Sequence, residues 1–215
     1  LNDTFGFPLD LTREILAERG MEVDEDRFRE LMRQQKERAR SARKDAGADA
    51  WKGEGGAASG LPATEFVGYN TLSHIGKVLA IIQNGERIAS AGEGDEVSIV
   101  LDSTPLYGES GGQVGDSGVL ESEGFVVDVI DTTRHEGVFL HRAVVGEGTV
   151  NVADTLLAKV HPVRRRAIMR NHTAAHLLQA ALRKVLGSHV EQAGQLVNEK
   201  HVRFDFTHFS AVTPE

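Results

Sequence analysis

The chain of 215 residues contains no cysteine, so no disulfide framework holds it and nothing argues for an oxidising compartment. The same lack narrows metal chemistry. Zinc bound by these residues has to use histidine with carboxylate or water. No apolar run approaches the ~20 residues needed to cross a bilayer, and no signal-peptide pattern opens the chain. Positive charge is also in deficit. A net charge of −8 argues against a dedicated nucleic-acid binder, although the average conceals strong local asymmetry. With 40% hydrophobic and 26% charged residues, the composition is that of an ordinary soluble protein with room for one large or two small domains. Leu1 falls inside a pattern and Glu215 follows soon after a strand, so the chain is expected to be a piece of something longer.

The first 45 residues read as helical. Pro8 and Gly20 bracket one short helix. A second is expected over 24–44, with Asp24, Glu25 and Asp26 in its first turn and Arg38, Arg40, Arg43 and Lys44 in its last, as the helix dipole favours. Its few apolar residues suit an exposed connector better than a basic arm on RNA phosphates. Residues 46–60, rich in Gly, Ala, Ser and charge, read as a linker.

The period changes over 61–160. Short β-branched runs at 66–69, 76–82, 97–101, 124–130 and 137–141 alternate with turn signals such as Asn84-Gly85 and Gly146-Glu147-Gly148, the pattern of a small antiparallel β-barrel. One loop, 104–118, carries five glycines. It suits either a backbone that approaches a ligand or a turn pressed on a neighbouring domain where only glycine fits.

A helix over 162–186 organises the rest, between Pro162 and Gly187. Arg164, Arg165, Arg166 and Arg170 crowd its beginning, where positive charge opposes the dipole. Contact with RNA phosphate would offset that cost; a solvated basic face is the alternative. His172 and His176, four residues apart, share one helix face beside an apolar stripe of Ile168, Ala175, Leu178, Leu182, Val185 and Leu186. They could share a metal ion or be unrelated histidines. Thr173 follows the first histidine, where a zinc protease needs glutamate. The alternating run Val202-Arg203-Phe204-Asp205-Phe206 is a half-exposed strand. The fold class is therefore α+β: N-terminal helices, a small antiparallel barrel, then a truncated α+β domain whose central helix packs on a sheet.

Four strings in order give the chain a family resemblance: 1–12 (LNDTFGFPLDLT), 105–118 (PLYGESGGQVGDSG), 170–178 (RNHTAAHLL), and Gly194–Val197 with Val202–Phe206. Together they resemble the alanyl-tRNA synthetase family, from the end of its tRNA-recognition region (1–45) through the barrel to the start of its editing domain (161–215). The resemblance implies hydrolysis of serine or glycine wrongly esterified to tRNA(Ala). It also implies zinc held by His172 and His176 with a Cys and a His from a later Cys-x-x-x-His beyond Glu215. Gln192 matches a glutamine of the editing pocket, and Gly111, Gly112 and Gln113 belong to the loop that shapes or closes it. Ala175 and Gln195 depart from the family pattern, where hydroxyl residues are common. ATP and Mg would act only in a charging domain before Leu1. The implied partners are the tRNA(Ala) acceptor end, contacted by Arg164, Arg165, Arg166 and Arg170, and the rest of the polypeptide. Neither membrane nor DNA is implied, and the location is cytoplasmic. A freestanding editing hydrolase, a non-catalytic tRNA-binding module and an unrelated zinc hydrolase are the rivals.

Overall fold

A computed structural model describes residues 12–13, 16–17, 19–34, 54–210 and 212. The chain divides into two compact units, Leu1–Lys52 and Gly53–Glu215. In the first unit a helix, α1, covers 25–34. Asp24 starts it by accepting the Arg27 N–H at 2.9 Å on its side chain, and Arg29 reaches back to Glu25 at 3.0 Å. Such exposed pairs contribute a few tenths of a kcal/mol, roughly 0.3–0.5 each. The expected helix over the first 20 residues, the continuation of α1 to Lys44, and linker residues 46–53 lie wholly or largely outside the described residues.

The second unit is built on a closed barrel. Its strands are β2 (Ser73–Gln83), β5 (Glu96–Leu101), β7 (Gly118–Ser122), β8 (Phe125–His135), β9 (Val138–Asn151) and β10 (Thr155–Val160). They pair antiparallel in the order β10-β7-β8-β9-β5-β2, and β10 closes the circle on β2 with Thr155 opposite Lys77. Short strands β3 (Glu86–Ile88) and β4 (Ser90–Gly92) attach to β2 and β9, and β1 (Glu65–Phe66) runs parallel to β6 (Ser103–Thr104). Asn84 and Gly85 take positive φ of 52° and 81° between β2 and β3, as a tight hairpin with matching twist requires. The strand β7 was not foreseen, because Gly118 reads as the end of the loop when it is in fact the first residue of the strand.

The barrel interior is filled by alternate residues of every strand, among them Ile81, Ile99, Leu101, Leu120 and Val127, all without exposure. Burying such a side chain contributes roughly 1.5–3 kcal/mol, an upper figure because unfolded chains bury some of this surface too. A single turn of helix, α2 (Glu54–Ala58), lies on the outer wall, where Ala58 meets Ala80, Ile82, Val100, Val138 and Leu140. Arg87 satisfies its C-terminal end by donating to Ala57 O and Ser59 O, both at 2.7 Å. Residues 54–60 are thus part of the barrel's packing and not a free linker.

His141 is the largest polar side chain buried in the wall. It is fully buried, donates from Nδ1 to Ile99 O at 2.8 Å and accepts from Thr104 Oγ1 on Nε2 at 2.8 Å. Both ring nitrogens are satisfied in the neutral form, and burial lowers its pKa to about 4.

After the barrel comes α3 (Pro162–Leu186), matching the range expected from the sequence, then the hairpin of β11 (Gln192–Val197) and β12 (Val202–Phe206). Ile168 and Ala175 of α3 pack on Val197, Val114 and Val202. The rest of the expected stripe is only partly covered: Leu182 and Leu186 are half-buried, while Leu178 is 43% and Val185 79% exposed. Among the described residues no helix is long and apolar enough to cross a membrane.

Candidate functional site

The start of α3 is fastened to the barrel by one buried ion pair. His161, the N-cap, has no side-chain capping bond, and no acidic residue occupies the first turn. Arg165 supplies what the local sequence lacks. Its guanidinium donates to the Asp116 carboxylate through Nε at 2.7 Å and also through Nη2, to Gly68 O at 3.0 Å and to Pro105 O at 2.7 Å. Asp116 is 1% exposed and Arg165 7%. The carboxylate also accepts the Tyr107 N–H at 2.7 Å.

This corrects the expectation for Arg165, which has no surface left for a phosphate. Arg164 is largely engaged as well, donating to Gly115 O at 2.7 Å and pairing with Glu199 at 3.4 Å. Intramolecular acceptors therefore offset the unfavourable charge at this helix end. Arg166 and Arg170 remain exposed, and among the described residues neither pairs with a carboxylate.

The arginine pair sets the glycine loop against α3 and β11. Gly111 and Gly112 take φ of +57° and +79° at the centre of a turn closed by Ser110 and Gln113, the backbone of a type I′ turn. Gly112 O accepts the Val197 N–H at 2.7 Å, and Gln195 Nε2 donates to Gly111 O. A Cβ on Gly112 would lie 2.5 Å from Gln195 Cγ, and one on Gly115 1.9 Å from Thr132 O, whereas one on Gly111 would meet nothing. Close packing thus accounts for Gly112 and Gly115, and Gly111 alone of the three faces open space. The N–H groups of Gly111 and Gly112 have no acceptor among the described residues. Behind the loop, Glu109 and Asp131 sit above the usual carboxylate range, each mainly through burial, with Asp131's charge adding to the effect on Glu109.

Gln113 joins this loop to the histidine pair. Its Oε1 accepts from His172 Nδ1 at 2.6 Å, which fixes the proton on Nδ1 and leaves the Nε2 lone pair free. The His172 and His176 rings lie 5.0 Å apart at 30°. His172 is half-buried and His176 exposed. Burial, then the neighbouring His176, lowers the His172 pKa and favours its neutral form. A histidine that ligates metal through one nitrogen while donating from the other to a carbonyl has this arrangement. The two rings therefore fit two corners of a zinc site. Among the described residues no group of three or more His, Cys, Asp or Glu side chains could hold a metal, so they fit half of it.

The remaining sequence-derived candidates are placed differently. Gln192 begins β11 with its side chain exposed and, among the described residues, makes no side-chain hydrogen bond. Gln195, three residues on, is the glutamine that touches the loop. Ala175 is 2% exposed in the helix–hairpin core, so a side chain there faces packing and not solvent. Asp116 escaped sequence reasoning because a carboxylate in a glycine-rich run carries no local sign of a partner 49 positions away.

A pocket of about 520 Å³ opens beside His172, which shares its walls with Phe66, Tyr69, Tyr107, Gln113 and Met169. Its volume lies in the range of small-ligand sites, roughly 300–1,000 Å³.

A tethered helix that presents two imidazoles to a glycine turn on a barrel can be compared with known proteins. Residues 1–164 match the family described as class II tRNA synthetases (A), and the chain belongs to that family. The match stops in the first turn of α3, so His172 and His176 lie beyond it. The individual relatives are alanine–tRNA ligases. That of Caldicellulosiruptor saccharolyticus is 48% identical over 216 residues, that of Roseiflexus castenholzii 49% over 219, and that of Bacillus pumilus 46% over 217. Each comparison covers 100% of this chain and 24% of the relative, so the chain spans about a quarter of their length.

Proposed function

We propose that this chain is an internal section of a cytoplasmic alanyl-tRNA synthetase, and that α3 and the glycine turn begin a site hydrolysing serine or glycine wrongly esterified to tRNA(Ala). The observation that carries the reading is the 2.6 Å bond from His172 to Gln113, which couples the histidine pair to the turn at the mouth of a pocket. An aminoacyl ester is already activated. A site need only position water and hold the charge that develops on the carbonyl oxygen. The N–H groups of Gly111 and Gly112 are suited to that second task. His172 and His176 would hold zinc through two of its ligands, and such an ion polarises a carbonyl or activates water. Gln113 keeps the His172 proton on Nδ1. Charging with ATP and Mg belongs, on this proposal, to another part of the polypeptide.

Proofreading has a physical motive. An alanine pocket distinguishes glycine by one methyl group, about 1–3 kcal/mol, and rejects an added hydroxyl only weakly, so a second hydrolytic site is needed. The rival reading is a tRNA-binding scaffold without catalysis, favoured by two exposed arginines that pair with no carboxylate among the described residues and by a histidine pair that supplies half a metal site. In the complete polypeptide, His172→Ala combined with His176→Ala is expected to abolish cleavage of Ser-tRNA(Ala) while alanine charging persists. The 215-residue chain alone is expected to bind tRNA without cleaving it. Cleavage that survives the double substitution overturns the hydrolytic reading.

A further inference from the structure

The pocket beside His172 has a composition that its position near the histidines does not explain. Its walls are mainly apolar and aromatic, in a chain with only 6% aromatic residues. Phe66 is the hub. Tyr69 meets it edge-on at 4.9 Å and Tyr107 edge-on at 5.9 Å, while Phe139 stacks on it at 5.7 Å. Tyr69 is nevertheless 84% exposed and Met169 55% exposed. Placing a tyrosine ring in water beside an apolar recess gains nothing for folding, and the recess is too apolar to hold a phosphate.

Two arginines line the recess, and only one is available: Arg165 is buried on Asp116, whereas Arg166 is exposed. Arg166 lines the pocket, and Arg170 is one turn further along the same helix face. Neither pairs with a carboxylate among the described residues, in a chain of net charge −8. Aromatic walls beside exposed guanidinium groups that pair with no described carboxylate suit a ligand with a flat apolar end and an anionic connection, as in a single-stranded nucleotide.

We infer that this pocket receives the terminal unpaired base of an RNA acceptor end, stacked on Tyr69, with the preceding phosphate at Arg166. The inference rests on the hydrolytic reading, because an ester on the terminal ribose brings the base of that same ribose closest to His172 and Gln113. It adds a subsite to that reading. Stacking tolerates any base, so the pocket supplies position without sequence readout.

The test uses the 215-residue chain and a fluorescein-labelled RNA hairpin with a single-stranded 3′ overhang, intact or lacking only its terminal base. Anisotropy gives Kd for wild type, Tyr69→Ala and Tyr69→Phe. Because Tyr69 is so exposed, neither change disturbs the fold, and thermal melts verify this. Tyr69→Ala is expected to weaken binding of the intact hairpin roughly five- to 150-fold, the loss of one base–aromatic stack. Tyr69→Phe stays within about twofold, and the hairpin without its terminal base binds wild type and Tyr69→Ala alike. Equal weakening of both hairpins by Tyr69→Ala overturns the base subsite. So does binding indifferent to Tyr69, the outcome expected if a protein segment fills the pocket; in both cases the tRNA reading survives. Failure of wild type to bind either hairpin overturns both.

Discussion

Replacing Arg165 with leucine tests the most consequential contact in the molecule. The substitution keeps an aliphatic stem but removes every donor from a group 7% exposed, opposite a carboxylate 1% exposed. Asp116 would retain the Tyr107 N–H at 2.7 Å and lose its only ion partner among the described residues. Breaking a buried pair by removing one member costs about 3–5 kcal/mol, because the remaining charge is left uncompensated. The carbonyls of Gly68 and Pro105 would each lose a donor, at roughly 1–3 kcal/mol if nothing replaced it. Gly68 borders the pocket, so water can take over there, and the net loss stays near about 4 kcal/mol. With a urea slope of about 2 kcal/mol/M, the midpoint followed by circular dichroism falls by about 2 M. Asp116→Asn added to Arg165→Leu should restore part of the loss, because no buried charge is then unpaired. A loss below about 1 kcal/mol for Arg165→Leu, or strict additivity in the double-mutant cycle, would refute the reasoning.

Acid should find His141. Its pKa falls from 6.5 unfolded to about 4 folded, so between those values the unfolded chain binds more protons, and stability present above pH 6.5 is lost as pH drops. The stability difference between wild type and His141→Gln is expected to shrink by about 2 kcal/mol from pH 7 to pH 5; an unchanged difference in urea midpoints contradicts a neutral buried ring. Gly112→Ala meets both a φ of +79° and Gln195 at 2.5 Å and should cost about 2–3 kcal/mol, against about 1 kcal/mol for Gly111→Ala, which meets only strain. Thermal melts that rank the two in reverse would show that the turn is not pressed on β11. Gln113→Leu removes the acceptor of His172 Nδ1–H, so ring nitrogen shifts should show the Nε2–H tautomer rising from a minor population. A wild-type protein already dominated by Nε2–H would deny the bond.

The local chemistry of the sequence specified a good part of this molecule. Pro162, Gly187 and a 3.6-residue period define α3 to the residue, because helix ends are set by φ restrictions and capping within one turn. Asn84-Gly85 defines a hairpin for the same local reason. Two histidines at i and i+4 must share a face whatever surrounds them. Other features depend on partners far apart in the chain. Closure of the barrel needs Thr155 beside Lys77, and alternation within either strand does not name its neighbour. Four arginines near the start of a helix look equivalent in sequence, and only the fold decides which is used internally. Arg165 is buried on Asp116, Arg164 is turned to Glu199, and Arg166 and Arg170 are left to solvent. Likewise Gln195 and not Gln192 meets the glycine turn, because it is Val197, two residues on from Gln195, whose N–H reaches Gly112 O. Side-chain identity gives each group its chemistry, but its partner is set by which distant backbone arrives within about 3 Å, a distance that no local pattern encodes.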